Sequence, residues 1–202
     1  MNLIQFQKTK SRNMAQKDKE KWDKKYNETP RLMKDRTPSP KVVEAIQYTR
    51  GKKALEIACG TGRNSIFLAE NRFEVEAFDI SEVAINHLKK QNIKNLTAIQ
   101  KDLENFDIEK NSFDLIVQTN YLDRKIFPNL KEALKKDGII VIETYMNHKE
   151  NEKPPSNPLF LLKENELKEI FSDFEIIKYD EYFNEKHELY KMRKQAIIAK
   201  KL

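Results

Sequence analysis

Gly60 and Gly62 are two of only four glycines in a chain of 202 residues, and they end an apolar run, Ala54-Leu-Glu-Ile-Ala-Cys59. Behind them comes Arg63-Asn-Ser-Ile-Phe-Leu-Ala-Glu70. β-capable residues, then Gly-Thr-Gly, then a helix-compatible stretch read as strand, tight turn and helix. Glycine in such a turn permits positive φ and lets the main chain approach a ligand closely. The helix that follows offers unpaired N–H groups and the positive end of its dipole. Three acids, Glu56, Asp79 and Asp102, fall at the ends of successive strand-like runs. Carboxylates gathered on the carboxyl edge of a parallel sheet suit a ligand that carries hydroxyls and positive charge. The pattern points to a nucleotide-type cofactor site, with a plain βα turn and solvated strand ends as the alternative reading.

Gly60-Thr-Gly62-Arg-Asn-Ser65 lacks the last glycine of the dinucleotide fingerprint G-x-G-x-x-G, although Asp79 follows about 20 residues on, where a ribose-binding acid belongs. No Gly-Lys-Ser/Thr follows the turn, which excludes a phosphate-binding P-loop. Tyr121 and Lys125 fit the Tyr-x-x-x-Lys of short-chain dehydrogenases, but so do Tyr182 with Lys186 and Tyr190 with Lys194. A Lys-rich chain produces that match cheaply, and it carries little weight.

The elements that must position these residues begin near residue 50. Strand-like runs at 52–58, 73–80, 96–102, 113–120 and 138–145 alternate with helical patterns. Ser81 is the expected N-cap of one helix, with Val83, Ile85 and Leu88 inward. A second helix is expected over "FPNLKEALKKDG", with Leu130, Ala133 and Leu134 inward and Gly138 just past its end. This rhythm predicts an α/β fold with a doubly wound, mostly parallel sheet. The last two runs, 174–183 and 194–201, have no helix between them and predict an antiparallel C-terminal hairpin, for seven strands in all. "PPSNP" at 154–158 marks an irregular insert after the fifth strand.

Charged residues make up 35% of the chain and the mean hydropathy is −0.78, so the core must be concentrated in a few apolar runs. No stretch approaches the roughly 18 apolar residues of a membrane span, and "MNLIQFQKTKSRN" has no apolar signal-peptide segment. Cys59 stands alone, which rules out an internal disulfide and a multi-cysteine zinc site; no metal is expected, and the expected location is the cytoplasm. Residues 1–50 hold 13 Lys and Arg against 6 Asp and Glu, whereas residues 51–202 hold 25 against 26. The division expected is therefore a basic N-terminal arm over 1–40 and a catalytic domain over 41–202. Met14 is a second candidate start, which would make 1–13 an upstream extension.

Glu56-Ile-Ala-Cys-Gly-Thr-Gly62 resembles motif I of the class I S-adenosylmethionine (SAM) methyltransferases, Asp/Glu-x-Gly-x-Gly-x-Gly, with Ala58 in place of the first glycine. The resemblance runs in order through residues 52–202. It implies a Rossmann-like fold with SAM as cofactor, held by Glu56, Ala58, Cys59, Gly60, Thr61, Gly62, Arg63 and Asn64 of the first turn. Asp79, followed by Ile80, stands where the family's acid grips both ribose hydroxyls. Asp102 and Leu103 stand where an acid and a backbone N–H read the adenine. Thr119 and Asn120 fall beside the methionine end. SAM has no phosphates but carries a ribose diol and a sulfonium, which agrees with the three acids.

"GTGRNSIFLAE", "FLLKENELKEIFSDFEIIKYDE" and "KHELYKMRKQAIIAKK" together are similar to the tellurite-resistance methyltransferases. That resemblance implies that His187 and Arg193 return toward the active site on the last hairpin. Where that family tends to have Arg after the His, this chain has Glu188. The expected activity is methyl transfer by in-line displacement to a small-molecule acceptor, such as a thiol or chalcogen oxyanion, which needs placement more than a strong base. Tyr121, Tyr145 and His148 are the candidates lining the mouth. An RNA or protein methyltransferase using the basic arm is the alternative. Against it, no Asn/Asp-Pro-Pro-Tyr/Phe phrase follows the fourth strand, which reads Gln118-Thr-Asn-Tyr121. Trp22 and Tyr26 share one helical face, so residues 15–40 are expected to fold over the cofactor as a lid.

Overall fold

The computed structural model describes residues 3–34, 36–103, 107–184 and 190–202, and their side chains from residue 15 onward. Seven strands, β1 (Lys53–Ile57), β2 (Glu74–Asp79), β3 (Leu96–Gln100), β4 (Phe113–Thr119), β5 (Leu134–Tyr145), β6 (Phe174–Phe183) and β7 (Arg193–Lys201), form one sheet in the order β3-β2-β1-β4-β5-β7-β6. β2 pairs parallel with β3, and β4 with β5. β7 runs antiparallel to both β5 and β6. Central β5 is buried from Gly138 to Thr144, while β3 and β6 at the edges alternate or face water, as expected of strands with and without neighbours on both sides. Among the described residues no helix is long and apolar enough to cross a membrane.

The chain forms two compact units, residues 1–37 with 56–107, and residues 38–55 with 108–202. In the first, α3 (Arg63–Glu70) packs on β2, and α4 (Glu82–Lys90) packs on β2 and β3. Helix α1 (Leu3–Glu28) lies against α4. In the second, α2 (Pro40–Ala45) packs on β5 and β7, α5 (Phe127–Ala133) on β5, and α6 (Glu166–Ile170) on β7.

Two local expectations need correction. The helix over 127–138 stops at Ala133, and Leu134 already has extended dihedrals (φ −74°, ψ 133°) and begins β5. The carbonyls at the stop bond to other elements: Asn111 N–H donates to Glu132 O and Ser112 N–H to Ala133 O, each at 2.9 Å, while Lys201 Nζ donates to Leu134 O (2.6 Å) and Lys131 O (2.8 Å), groups that a continuing helix would claim for itself. A register shift between Phe113 and Leu115 absorbs the extra residues of β5. Gly138 is thus inside the strand, where a Cβ would come within 2.8 Å of Leu134 Cγ. In α4 the inward residues are Ala84, Ile85 and Leu88, with Val83 half-buried. Ser81 sets this phase by accepting from Ala84 N–H at 3.2 Å, the N-cap arrangement anticipated.

Candidate active site

The first unit holds every expected cofactor residue from Glu56 to Leu103. After β1 the chain passes through three positive φ values in five residues, 54° at Ala58, 56° at Gly60 and 85° at Gly62. The turn is closed by Cys59 N–H donating to Phe78 O and Gly62 N–H donating to Cys59 O, each at 3.0 Å. Gly62 caps α3, and a Cβ there would meet Leu88 Cδ1 at 2.6 Å, so this glycine serves the packing of α3 against α4. Gly60 has a different neighbour: a Cβ would lie 2.6 Å from the Tyr26 hydroxyl.

Asp79 ties the first turn to the second. Gly60 N–H donates to its Oδ2 at 2.7 Å and Ser81 N–H to its Oδ1 at 2.8 Å. The Ile80 amide also bonds this carboxylate, and a carboxylate with about four lone-pair sites keeps acceptor capacity beyond three backbone amides. Burial pushes this carboxyl above its ordinary range, the Ser81 and Gly60 amides pull it back, and the nearby Asp23 carboxylate pushes it up again. Asp102 is half-buried just beyond β3, Leu103 is buried, and Ile80 O accepts from Gln100 Nε2 at 3.1 Å.

Glu56 differs from Asp79 although both close strands. It is 1% exposed, Asn64 Nδ2 donates to its Oε1 at 2.8 Å, and Ser65 Oγ donates to its Oε2. Both oxygens are committed to α3, so its carboxylate fastens the glycine turn to the helix behind it. Cys59 is buried beside Asp79 and Glu56, and desolvation followed by those two charges pushes its thiol well up.

The arm reaches this turn. Thr61 Oγ1 donates to Leu32 O at 3.0 Å, and Arg63 Nη1 to Thr37 O at 3.4 Å. Tyr26 is buried, with the Trp22 ring 6.0 Å away, and Lys25 Nζ lies 4.4 Å from the Trp22 centroid. Burial, with Asp79 next, pushes the Tyr26 hydroxyl up. Asp23 accepts from Ser81 Oγ and Val83 N–H. Sequence reasoning reached Trp22 and Tyr26 through their spacing but missed Asp23 and Ser81 as partners, because nothing local marks a bond 58 residues long.

In the second unit Thr119 is buried at the end of β4, and exposed Asn120 has φ 57° with its N–H donating to Glu143 O at 2.7 Å. Tyr121 is half-buried, and its carbonyl accepts from Gln118 Nε2 at 3.1 Å. Arg193 pairs with Glu181 at 3.8 Å and lies 5.4 Å from the Phe183 ring centroid; His148 meets the same ring edge-on at 5.3 Å. Tyr145 lies under Lys194 Nζ at 5.0 Å. Lys194 also pairs at 3.1 Å with Glu143, which accepts from Ser39 Oγ as well, a buried group that the sequence did not announce. His187 lies outside the described residues.

The glycine turn and the anchored acid of β2 fit a diol-bearing cofactor, and the reversed β7 between β5 and β6 separates this sheet from an all-parallel dinucleotide fold. The class so defined is that of the Rossmann-like SAM-dependent methyltransferases. The family model described as "Tellurite resistance protein TehB" matches residues 14–197, and the chain belongs to this family. It is 30% identical over 202 residues to the "Probable S-adenosyl-L-methionine-dependent methyltransferase TehB" of Haemophilus influenzae Rd, an alignment covering 92% of this chain and 67% of the relative. To the protein of the same name from strain 10810 it is 30% identical, covering 79% of this chain and 61% of that one. The chain therefore spans about two thirds of the length of these relatives. The crystal structure of TehB from Haemophilus influenzae superposes with a TM-score of 0.72 at 28% identity, covering 91% of this chain and 67% of that one. A SAM-dependent methyltransferase from Methanosarcina mazei, at 18% identity and a TM-score of 0.66 over 83% of this chain and 99% of that one, shares the fold.

Proposed function

We propose that this protein transfers the methyl group of SAM to a small-molecule acceptor that attacks through a soft, electron-rich atom, a thiolate or a chalcogen oxyanion. The observation that carries the reading is Asp79, a buried carboxylate at the end of β2 oriented by the backbone amides of Gly60, Ser81 and Ile80. A carboxylate so held can still accept from a ribose hydroxyl. SAM supplies, when bound, a methyl group already activated on a sulfonium.

The chain's own residues then have limited tasks. The backbone at Ala58 and Gly60 allows close approach to the turn, and Asp102 with the Leu103 N–H would hold the adenine. Thr119 and Asn120 would face the methionine end. Burial keeps the Cys59 thiol protonated, so the loop's own sulfur does not compete for the methyl. Residues 15–40 would act as a lid that excludes water. An acceptor that arrives as an anion needs no strong base, and Tyr121, His187 and Arg193 would orient it. The relatives' name, tellurite resistance, supports the chalcogen class.

The basic arm favours a macromolecular acceptor less than its charge count suggests. Lys19 is paired with Asp23 and Glu82, and Lys24 with Glu28, so these two positive charges are answered on the protein. The deciding experiment measures SAM consumption with thiol, selenite, tellurite and bulk RNA as acceptors. Turnover with a small soft anion supports the proposal; turnover with RNA alone replaces it.

A further inference from the structure

Helix α1 carries a carboxylate outside the set of cofactor residues described above. Asp23 accepts from Ser81 Oγ at 2.6 Å and from Val83 N–H at 3.1 Å, so it caps the first turn of α4 from outside. Ser81 in turn donates its own N–H to Asp79 Oδ1 at 2.8 Å. One fully buried serine thus stands between the carboxylate of the arm and the carboxylate that closes β2. Lys19, one helical turn before Asp23, bridges Asp23 at 2.8 Å and Glu82 at 3.0 Å. It offsets the charge of two neighbouring carboxylates and adds a second tie between α1 and α4. Tyr26, nearly one turn after Asp23, brings its hydroxyl against Gly60, whose N–H holds the other oxygen of Asp79. The arm therefore touches Ser81 and Gly60, two of the residues whose amides orient Asp79.

We propose that Asp23 is a positioning residue which couples docking of the N-terminal arm to the grip of Asp79 on the cofactor. This rests on the reading that Asp79 holds the ribose of SAM. Asp23 restrains Ser81 and the first turn of α4, Ser81 aims its N–H at Asp79, and Asp79 presents its remaining acceptor positions. Arm docking and cofactor binding are then one linked equilibrium, so each strengthens the other by the same factor. A cap that only stabilised α4 would shift the melting temperature and leave this reciprocity absent.

The test uses the full chain and S-adenosylhomocysteine, with calorimetry for affinity and hydrogen exchange over residues 15–28. In the wild type the ligand slows exchange in that segment. Asp23→Ala weakens ligand binding by about tenfold, the loss expected for a hydrogen-bonded charge, and removes the ligand-dependent protection. Asp23→Asn keeps an acceptor oxygen for Ser81 and Val83 and restores affinity to within about threefold of wild type. Lys19→Ala loosens Asp23 without touching Ser81 and gives a smaller shift in the same direction, which keeps the test decisive if Asp23→Ala does not fold. Wild-type affinity in a folded Asp23→Ala protein, or arm exchange that ignores the ligand, overturns the coupling alone. If the wild type does not bind S-adenosylhomocysteine at all, the cofactor reading falls and the coupling with it.

Discussion

Glu56 gives the sharpest test of how the glycine turn is held. Truncation to alanine removes the acceptor that Asn64 Nδ2 and Ser65 Oγ share, and both of those residues are 0% exposed. Losing these two buried contacts costs about 1–3 kcal/mol each. Removing a carboxylate that is itself expensive to bury returns part of this, so Glu56→Ala should destabilise by about 3 kcal/mol. At about 2–4 °C per kcal/mol for a chain of this size, the melting temperature should fall by about 6–12 °C. Glu56→Gln should behave differently. Its amide has the same shape, and the Ser65 hydroxyl can turn to accept where it now donates, so both contacts survive without a buried charge. Glu56→Gln should stay within about 1 kcal/mol of wild type.

The pH dependence follows from the same burial. Desolvation raises the Glu56 carboxyl above its ordinary value, and Ser65 and Asn64 pull it only part of the way back. The stability that protonation gives is fully present below the unfolded value of about 4.3 and is lost as pH rises through the folded value. Wild type should therefore lose stability relative to Glu56→Gln as pH rises across that window. Urea denaturation of the three proteins at pH 5 and pH 8 checks every part. A Glu56→Gln protein as unstable as Glu56→Ala, or a harmless Glu56→Ala, would refute the assignment of Glu56 to the clamp.

Asp79→Ala should weaken S-adenosylhomocysteine binding by roughly 1–3 kcal/mol in calorimetry; unchanged affinity, or tight NAD(H) binding instead, would remove Asp79 from the cofactor site. Ala58→Gly should stabilise the protein by about 1 kcal/mol, because Ala58 holds a φ of 54° that glycine adopts without strain. A loss of stability in urea would mean that its methyl packs better than the turn is strained. Deleting residues 1–13 should leave methyl transfer intact while Trp22→Ala lowers it. Charge reversal of Lys21, Lys24 and Lys25 that abolished activity beside a silent Trp22→Ala would turn the arm into a surface for an acidic macromolecule.

Local pattern alone was enough for most of the architecture. Alternating strand and helix periods, the Gly60-Thr-Gly62 turn and the Ser81 cap are written within a few residues of where they act, so the parallel sheet, its reversed C-terminal pair and the first βα turn were legible. Element ends were less so: Leu134 reads as the last inward residue of a helix, but it begins β5 beside Phe113, and the carbonyls around it bond Asn111, Ser112 and Lys201, residues distant in sequence. The same limit applies to the acids. Glu56 and Asp79 look alike in the sequence, each an acid at a strand end. Folding turns the carboxylate of Glu56 into Asn64 and Ser65 and sets Asp79 among the backbone amides of Gly60, Ser81 and Ile80. Asp23 meets Ser81 and Val83 only because α1 lies against α4. Backbone conformation is set by neighbours in sequence, but a buried carboxylate is defined by whichever donors the fold brings within hydrogen-bond reach, and those donors come from other elements.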